Sequence, residues 1–250
     1  TLEDWDHVIA VLQEEAKCGK AIALVIDAAY IDFAGDEEEY RRFLPKLEAL
    51  PENVLPIMAY SLSKTYTLYG TRCGAMICIA KTKEIADEFK RVCEYSSRGS
   101  WSNSAKVAQV ILSRIYGEPG LLERVDKERA HYREMLIKRG RAFEEEAKKV
   151  GLKIVPFDAG FFISIPCSDP DAISAKLEKE GVFIVPLAKG LRVSVASISE
   201  DKCRKLPAII KAAMEEANVT PDMAVGDICD AMEGAMTKIK VDGLTGTNMT

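Results

Sequence analysis

Ser61-Leu62-Ser63-Lys64 places a lysine beside two hydroxyls, and Arg72 follows eight residues later between Gly70 and Gly74. An apolar run over 54–59 leads into this stretch and a second, over 75–80, leads out of it. A lysine set between buried strands is costly to keep charged, and burial pushes its pKa down. Such an amine suits imine chemistry with a carbonyl compound. The hydroxyls and the arginine suit a phosphate carried by that compound. A surface loop with a solvated lysine and arginine is the plainer alternative.

A second element stands upstream. Residues 21–26 are six apolar residues in a row, rich in β-branched types, and Asp27, Ala28, Ala29 and Tyr30 follow. The run predicts a fully buried parallel strand with Asp27 at its carboxyl end. In open α/β sheets that end is where ligands bind. A carboxylate there, with no basic neighbour in sequence, asks for a cationic partner, and a protonated pyridine nitrogen would be one. Tyr30 could then bond the ring hydroxyl. Alternatively Asp27 caps the next helix. With Lys64 and Arg72, the set describes a lysine holding pyridoxal 5'-phosphate.

The series Asp27-Ala28-Ala29-Tyr30, Ser61-Leu62-Ser63-Lys64 and Arg72 resembles the motifs of class I, fold-type I, aminotransferases. The likeness continues through Arg98-Gly99-Ser100-Trp101-Ser102-Asn103, then Gly160-Phe161-Phe162-Ile163-Ser164 and Leu191-Arg192-Val193-Ser194-Val195-Ala196, and spans about residues 1–219. Within the family the chain is most similar to bacterial aspartate and aromatic amino-acid aminotransferases. The resemblance implies that Lys64 holds the cofactor as an imine and shuttles the substrate proton. It implies that Asp27 keeps the ring nitrogen protonated, Tyr30 contacts the ring oxygen, and Ser61 and Arg72 bind the phosphate. Arg192 would grip the substrate α-carboxylate with its planar fork. Arg98 would reach into a neighbouring subunit's site to read a distal carboxylate, so a homodimer with its site at the subunit interface is implied. Substrates would be an amino acid and a 2-oxo acid. Decarboxylases and carbon–sulfur lyases of the same fold type share the lysine, which leaves the reaction less fixed than the cofactor.

Composition agrees with a cytoplasmic enzyme. The 250 residues are 48% hydrophobic and 29% charged, ordinary for a globular protein. The net charge of −5 and the lack of a long basic stripe argue against nucleic acid as partner. Seven cysteines are scattered, mostly inside apolar runs, which suits reduced thiols used as small hydrophobes. No spacing suggests a metal. His7 and His131 lie in charged helical stretches. No signal peptide or bilayer-length apolar run is present, so no membrane partner is expected.

The predicted fold is α/β: part of a large mixed or parallel-sheet domain that binds pyridoxal phosphate, followed by a smaller α+β domain. Residues 1–120 would be the carboxyl-terminal part of the large domain. Residues 121–219 would be the small one, entered by a long linking helix over 121–150. Helices are predicted over 2–18, 37–50, 83–94, 101–116, 169–180 and 200–217, and strands over 152–156, 160–165, 182–186 and 191–196. Lys64 and Arg192 fall in different domains, which predicts a site in the cleft between them.

Two departures from the family pattern stand out. The family is much longer ahead of the Asp27 element. The residues without counterpart would supply a glycine-rich phosphate turn, an aromatic residue stacked on the ring and several sheet strands. The chain is therefore expected to be a fragment, with an open sheet edge and weak hold on the cofactor. At the other end, residues 220–250 carry a helical stretch and a glycine-rich turn resembling a segment of periplasmic branched-chain amino-acid binding proteins. A non-catalytic amino-acid-binding or assembly module is the alternative reading of the whole. Lys64, Asp27, Arg72 and Arg192 together favour the enzyme.

Overall fold

In the run 22–27 every second residue turns to the same side of a strand. Ile22, Leu24 and Ile26 face one way and pack into a core, while Ala23, Val25 and Asp27 face out. The computed structural model describes residues 2–219. It divides into two units, Thr1–Glu134 and Met135–Thr250, and each is described separately.

In the first unit, α1 (Leu2–Ala16) precedes β1 (Ile22–Asp27), and Gly19 makes the turn between them at φ +77°, a left-handed value that glycine adopts without strain. β1 runs parallel to β2 (Val54–Ser61), with Ile22 opposite Val54 and Asp27 opposite Ala59. β3 (Gly74–Cys78) runs antiparallel to β2, with Ser61 opposite Gly74. The sheet order β1-β2-β3 is thus mixed. Ile9, Ile26, Phe43, Leu47, Leu50, Val54 and Met58 form the core under it, and Trp5 of α1 stacks on Phe43 at 4.3 Å.

β1 is not the fully buried strand the apolar run predicts. Among the described residues it is hydrogen-bonded on one side only and covered on one face, and Val25 is 57% exposed. Four of the five residues of β3 are likewise exposed, so of the two strands flanking the lysine stretch only β2 is well covered.

The predicted helix over 37–50 is two pieces. α2 (Glu37–Arg41) starts on the Asp36 side chain, which accepts from the Glu38 N–H, and a 3-10 helix follows over Leu44–Ala49. Pro45 lacks an N–H and clashes with an α-helical turn before it, which is why one helix cannot run through. Beyond β2 come α3 (Leu62–Thr65), α4 (Lys83–Ser100), α5 (Lys106–Gly117) and α6 (Leu121–Lys149). α4 runs six residues further than predicted, so Arg98 lies in its last turn instead of a loop. Ser102, left-handed at φ +71°, separates α4 from α5, which therefore begins at Lys106.

The second unit holds β4 (Phe162–Pro166), β5 (Val185–Leu187) and β6 (Gly190–Ser194) in the antiparallel order β4-β6-β5. α7 (Pro170–Lys179) is capped by Asp169, and α8 (Glu200–Glu216) by Ser199. Phe143, Ile163, Ile165, Ile173, Leu177, Leu191 and Ile210 are fully buried between these helices and the sheet. The strand predicted over 152–156 does not form. Val155 N–H donates to Ser164 O at 2.9 Å, but Pro156 has no N–H with which to extend a ladder. Cys167 and Cys203 are fully buried, and burial raises both thiols to about 11, so they behave as small hydrophobes. Cys229 and the tail over 220–250 lie outside the described residues.

Gly140 shows how tightly this unit packs. A Cβ there would stand 2.0 Å from Cε1 of Phe157, itself 6% exposed. Gly140→Ala gains about 1 kcal/mol of helix propensity but overpacks the core, a change that costs about 1–3 kcal/mol. A lower midpoint of thermal unfolding by circular dichroism is expected, and an unchanged or higher one would show that Phe157 yields freely.

Candidate active site around Lys64

The lysine turn is built where β2 ends. Ser61 is the last strand residue, in extended conformation, and α3 is a single turn. Leu62, Ser63 and Thr65 of that turn are buried, and Lys64 between them is half-exposed. Leu62 packs with Cys73 and with Ala108 of α5, while its N–H donates to Cys73 O at 3.2 Å. Gly74 lets the next strand close on β2, because a Cβ there would lie 2.4 Å from Tyr60 O. This close approach brings Arg72 beside the lysine turn.

Arg72 sits in a left-handed conformation, φ 48°, ψ 50°. Its Nη1 donates to Tyr69 O at 3.0 Å and, at 3.4 Å, to Oγ of Ser63. The serine hydroxyl that the arginine bonds is thus that of Ser63, and the Ser61 side chain makes no capping bond to α3.

Lys64 Nζ lies 5.1 Å from the centre of the Tyr30 ring and 4.9 Å from that of Tyr69. Two aromatic faces attract an ammonium there. The structure therefore brings Lys64 and Tyr30, in the turn after Asp27, together. Asp27 is exposed at the carboxyl end of β1, and its Oδ1 accepts from the Ala29 N–H at 3.0 Å. That is an Asx turn, close to the capping alternative.

Beneath the lysine turn is a group that the sequence reading passed over. Asp32 is only 7% exposed. Its Oδ2 accepts from Oγ1 of Thr65 at 2.6 Å and from the Tyr60 hydroxyl at 2.8 Å, and its Oδ1 accepts from Nη2 of Arg41 at 2.5 Å. Burial alone would raise the Asp32 carboxyl. The Thr65 and Tyr60 hydroxyls and the charges of Arg129 and Arg41 outweigh it and hold the group below its ordinary value. Tyr60 is pushed up, by burial first and by the carboxylate it bonds. An acid flanked by Ile31 and Phe33 was the available signal for Asp32; Tyr69, an aromatic beside Gly70, carried none.

The sign of the linkage follows from the lowered value. A depressed folded pKa means that ionised Asp32 stabilises the fold above its unfolded value of about 3.9, and that this contribution drains away as pH falls through the folded value. Asp32→Asn is expected to lower stability at neutral pH and to flatten its fall below pH ~4. Denaturant unfolding at several pH values checks this, and an unaltered pH slope would contradict the charged assignment.

Arg192 lies in the second unit, on β6, opposite Ser164 of β4 and Val185 of β5. Its Cζ stands 4.6 Å over the Phe162 ring, and its buried Nε has no hydrogen-bond partner among the described residues. A buried donor left unpaired costs about 1–3 kcal/mol, so an acceptor from outside the described residues would be favoured there. Arg98 is exposed and donates to Oγ of Ser102.

Comparison with known proteins gives this arrangement a context. An aromatic amino acid aminotransferase of Cutibacterium acnes is 27% identical over 196 residues, which are 78% of this chain and 50% of that protein. The crystal structure of an aminotransferase from Anaerococcus prevotii superposes with a TM-score of 0.80 at 38% identity, over 86% of this chain and 52% of that one. An aromatic-amino-acid aminotransferase from Burkholderia pseudomallei, covalently bound to pyridoxal phosphate, shares the fold, with a TM-score of 0.64 at 22% identity over 84% and 51% of the two chains. The chain thus spans about half the length of the relatives it matches. The family model described as aminotransferase class I and II matches residues 1–210, and the chain belongs to that family.

Proposed function

We propose that the chain is the lysine-bearing portion of an aminotransferase that moves an amino group between an amino acid, aspartate or aromatic, and a 2-oxo acid. Pyridoxal 5'-phosphate is its cofactor and Lys64 the amine that holds it. The observation carrying this reading is the meeting of Lys64 Nζ with the Tyr30 ring, at 5.1 Å, at the carboxyl ends of two parallel strands. The donor set fits the group. Asp27 ends β1 with a carboxylate for a pyridine nitrogen, and the Arg72 guanidinium beside the lysine turn suits a phosphate. The Nε of Arg192, which has no partner among the described residues, suits a carboxylate.

When bound, the cofactor supplies an electron sink for the bond broken at the substrate α-carbon. Lys64 Nζ, as the free amine, takes the α-proton and returns it. Asp27 holds the ring-nitrogen proton in place, and Tyr30 donates to the ring oxygen. Ser61 and Arg72 hold the phosphate, and Arg192 orients the α-carboxylate. Arg98 reads a distal carboxylate in a partner subunit. A homodimer is supported by α4, none of whose residues is buried, where Val92 and Tyr95 are 58% and 86% exposed. The cytoplasmic assignment rests on free cysteines, buried at Cys73, Cys167 and Cys203. Incubating the protein with pyridoxal phosphate, reducing with borohydride and mapping the peptides tests the proposal. A pyridoxyl group confined to Lys64 supports it, and labelling spread over surface lysines overturns it.

A further inference from the structure

We propose that Asp32 is a positioning residue for Lys64, its buried carboxylate clamping both ends of the lysine turn to the turn that carries Tyr30. The inference rests on the reading of Lys64 as the reactive amine. α3 is one helical turn, too short to fix its own position. After it, Thr67 leaves helical geometry at φ 53°. Tyr60 and Thr65 bracket the stretch from Ser61 to Lys64, and both deliver hydroxyl donors to one oxygen, Oδ2 of Asp32. Oδ1 is taken by Arg41. Asp32 is two residues beyond Tyr30, within the 3-10 turn Ile31–Phe33, so the clamp fixes the Tyr30 ring relative to Lys64 Nζ. The two hydroxyls donate to Oδ2 and Arg41 donates to Oδ1, so both oxygens must accept; an amide in place of the carboxylate would meet one of these sides with its own hydrogens.

The test reads the amine itself, without cofactor. Lys64 is methylated with formaldehyde and a hydride donor, and its rate is followed by mass spectrometry from pH 6 to 10. The variants are Asp32→Asn, Tyr60→Phe, Thr65→Val and Thr65→Ser, each checked for folding by circular dichroism. Released from the ring faces, Nζ is more open to the reagent. Lys64 is therefore expected to react roughly threefold faster for one lost ring contact and about tenfold faster for both. Lys46, held by Asp6 elsewhere in the unit, is the control. Acceleration at Lys64 alone in Thr65→Val, with wild-type rates restored in Thr65→Ser, supports the clamp. Unchanged Lys64 rates in the folded variants overturn it, as does equal acceleration at Lys46, which would mean general loosening. If Asp32→Asn does not fold, Tyr60→Phe and Thr65→Val decide alone, since each removes one hydroxyl and keeps the carboxylate. Failure of the cofactor reading would show separately, as no pyridoxyl group on Lys64 while the methylation pattern stands.

Discussion

A Lys64→Ala protein is expected to lose covalent capture of pyridoxal phosphate completely while keeping its fold. Lys64 is the half-exposed residue of a turn whose other members are buried. Truncating it removes two ring contacts, at 5.1 and 4.9 Å, each worth about 0.5–1 kcal/mol at a partly exposed site. Alanine is the better helix former and returns part of that loss. Net stability should therefore fall by no more than about 1–2 kcal/mol, small against the 5–15 kcal/mol of an ordinary domain. Capture has no such reserve, because the proposed bond needs an amine at this position. Lys81 and Lys83 lie on the surface beyond β3, and Lys83 is 81% exposed. The measurement is the visible absorbance of the cofactor-treated protein, followed by borohydride and peptide mapping. A wild-type band in a folded Lys64→Ala protein would mean that another lysine holds the cofactor.

The candidate residues of the lysine turn could be picked out in the sequence because they are concentrated in short stretches, although the serine expected at the phosphate was Ser61 and the one that Arg72 bonds is Ser63. Ser63, Lys64 and Arg72 fall within ten positions, and a Gly74 pressed against Tyr60 O closes them together. Helices α1, α7 and α8 were legible for a similar reason: their starts or stops are marked by local chemistry at Gly19, Asp169 and Ser199. Other features depend on partners far away in the chain. The continuous apolar run of β1 reads the same whether one face or both are covered, and only the sheet order shows that Val25 faces out. Asp32 looks like a loop acid until the fold delivers Tyr60 and Thr65, 28 and 33 residues away, to one of its oxygens. Periodicity carries no information about such convergence. Proline accounts for two of the misread elements, since Pro45 splits a helix and Pro156 ends a ladder after one bond.

Arg192→Lys is expected to weaken substrate binding by about 10- to 100-fold while cofactor capture at Lys64 stays normal, the loss of one charge-assisted hydrogen bond being worth about 1.5–3 kcal/mol. The wild-type guanidinium is stacked over Phe162 at 4.6 Å, and its buried Nε lacks a partner among the described residues. A carboxylate arriving in its plane would satisfy two donors at once, in the fixed fork that guanidinium offers. Lysine keeps the charge but replaces the fork with a compact, strongly hydrated ammonium. The ammonium cannot meet both oxygens in that geometry. The shortfall should fall on affinity for any amino or 2-oxo acid, because all of them carry the α-carboxylate. Calorimetric titration with a 2-oxo acid reads it as a change in Kd, and the amino-acid half-reaction reads it as a fall in kcat/KM. Wild-type affinity in Arg192→Lys would show that the α-carboxylate is held by another group and that the half-buried guanidinium serves the second unit's packing against Phe162.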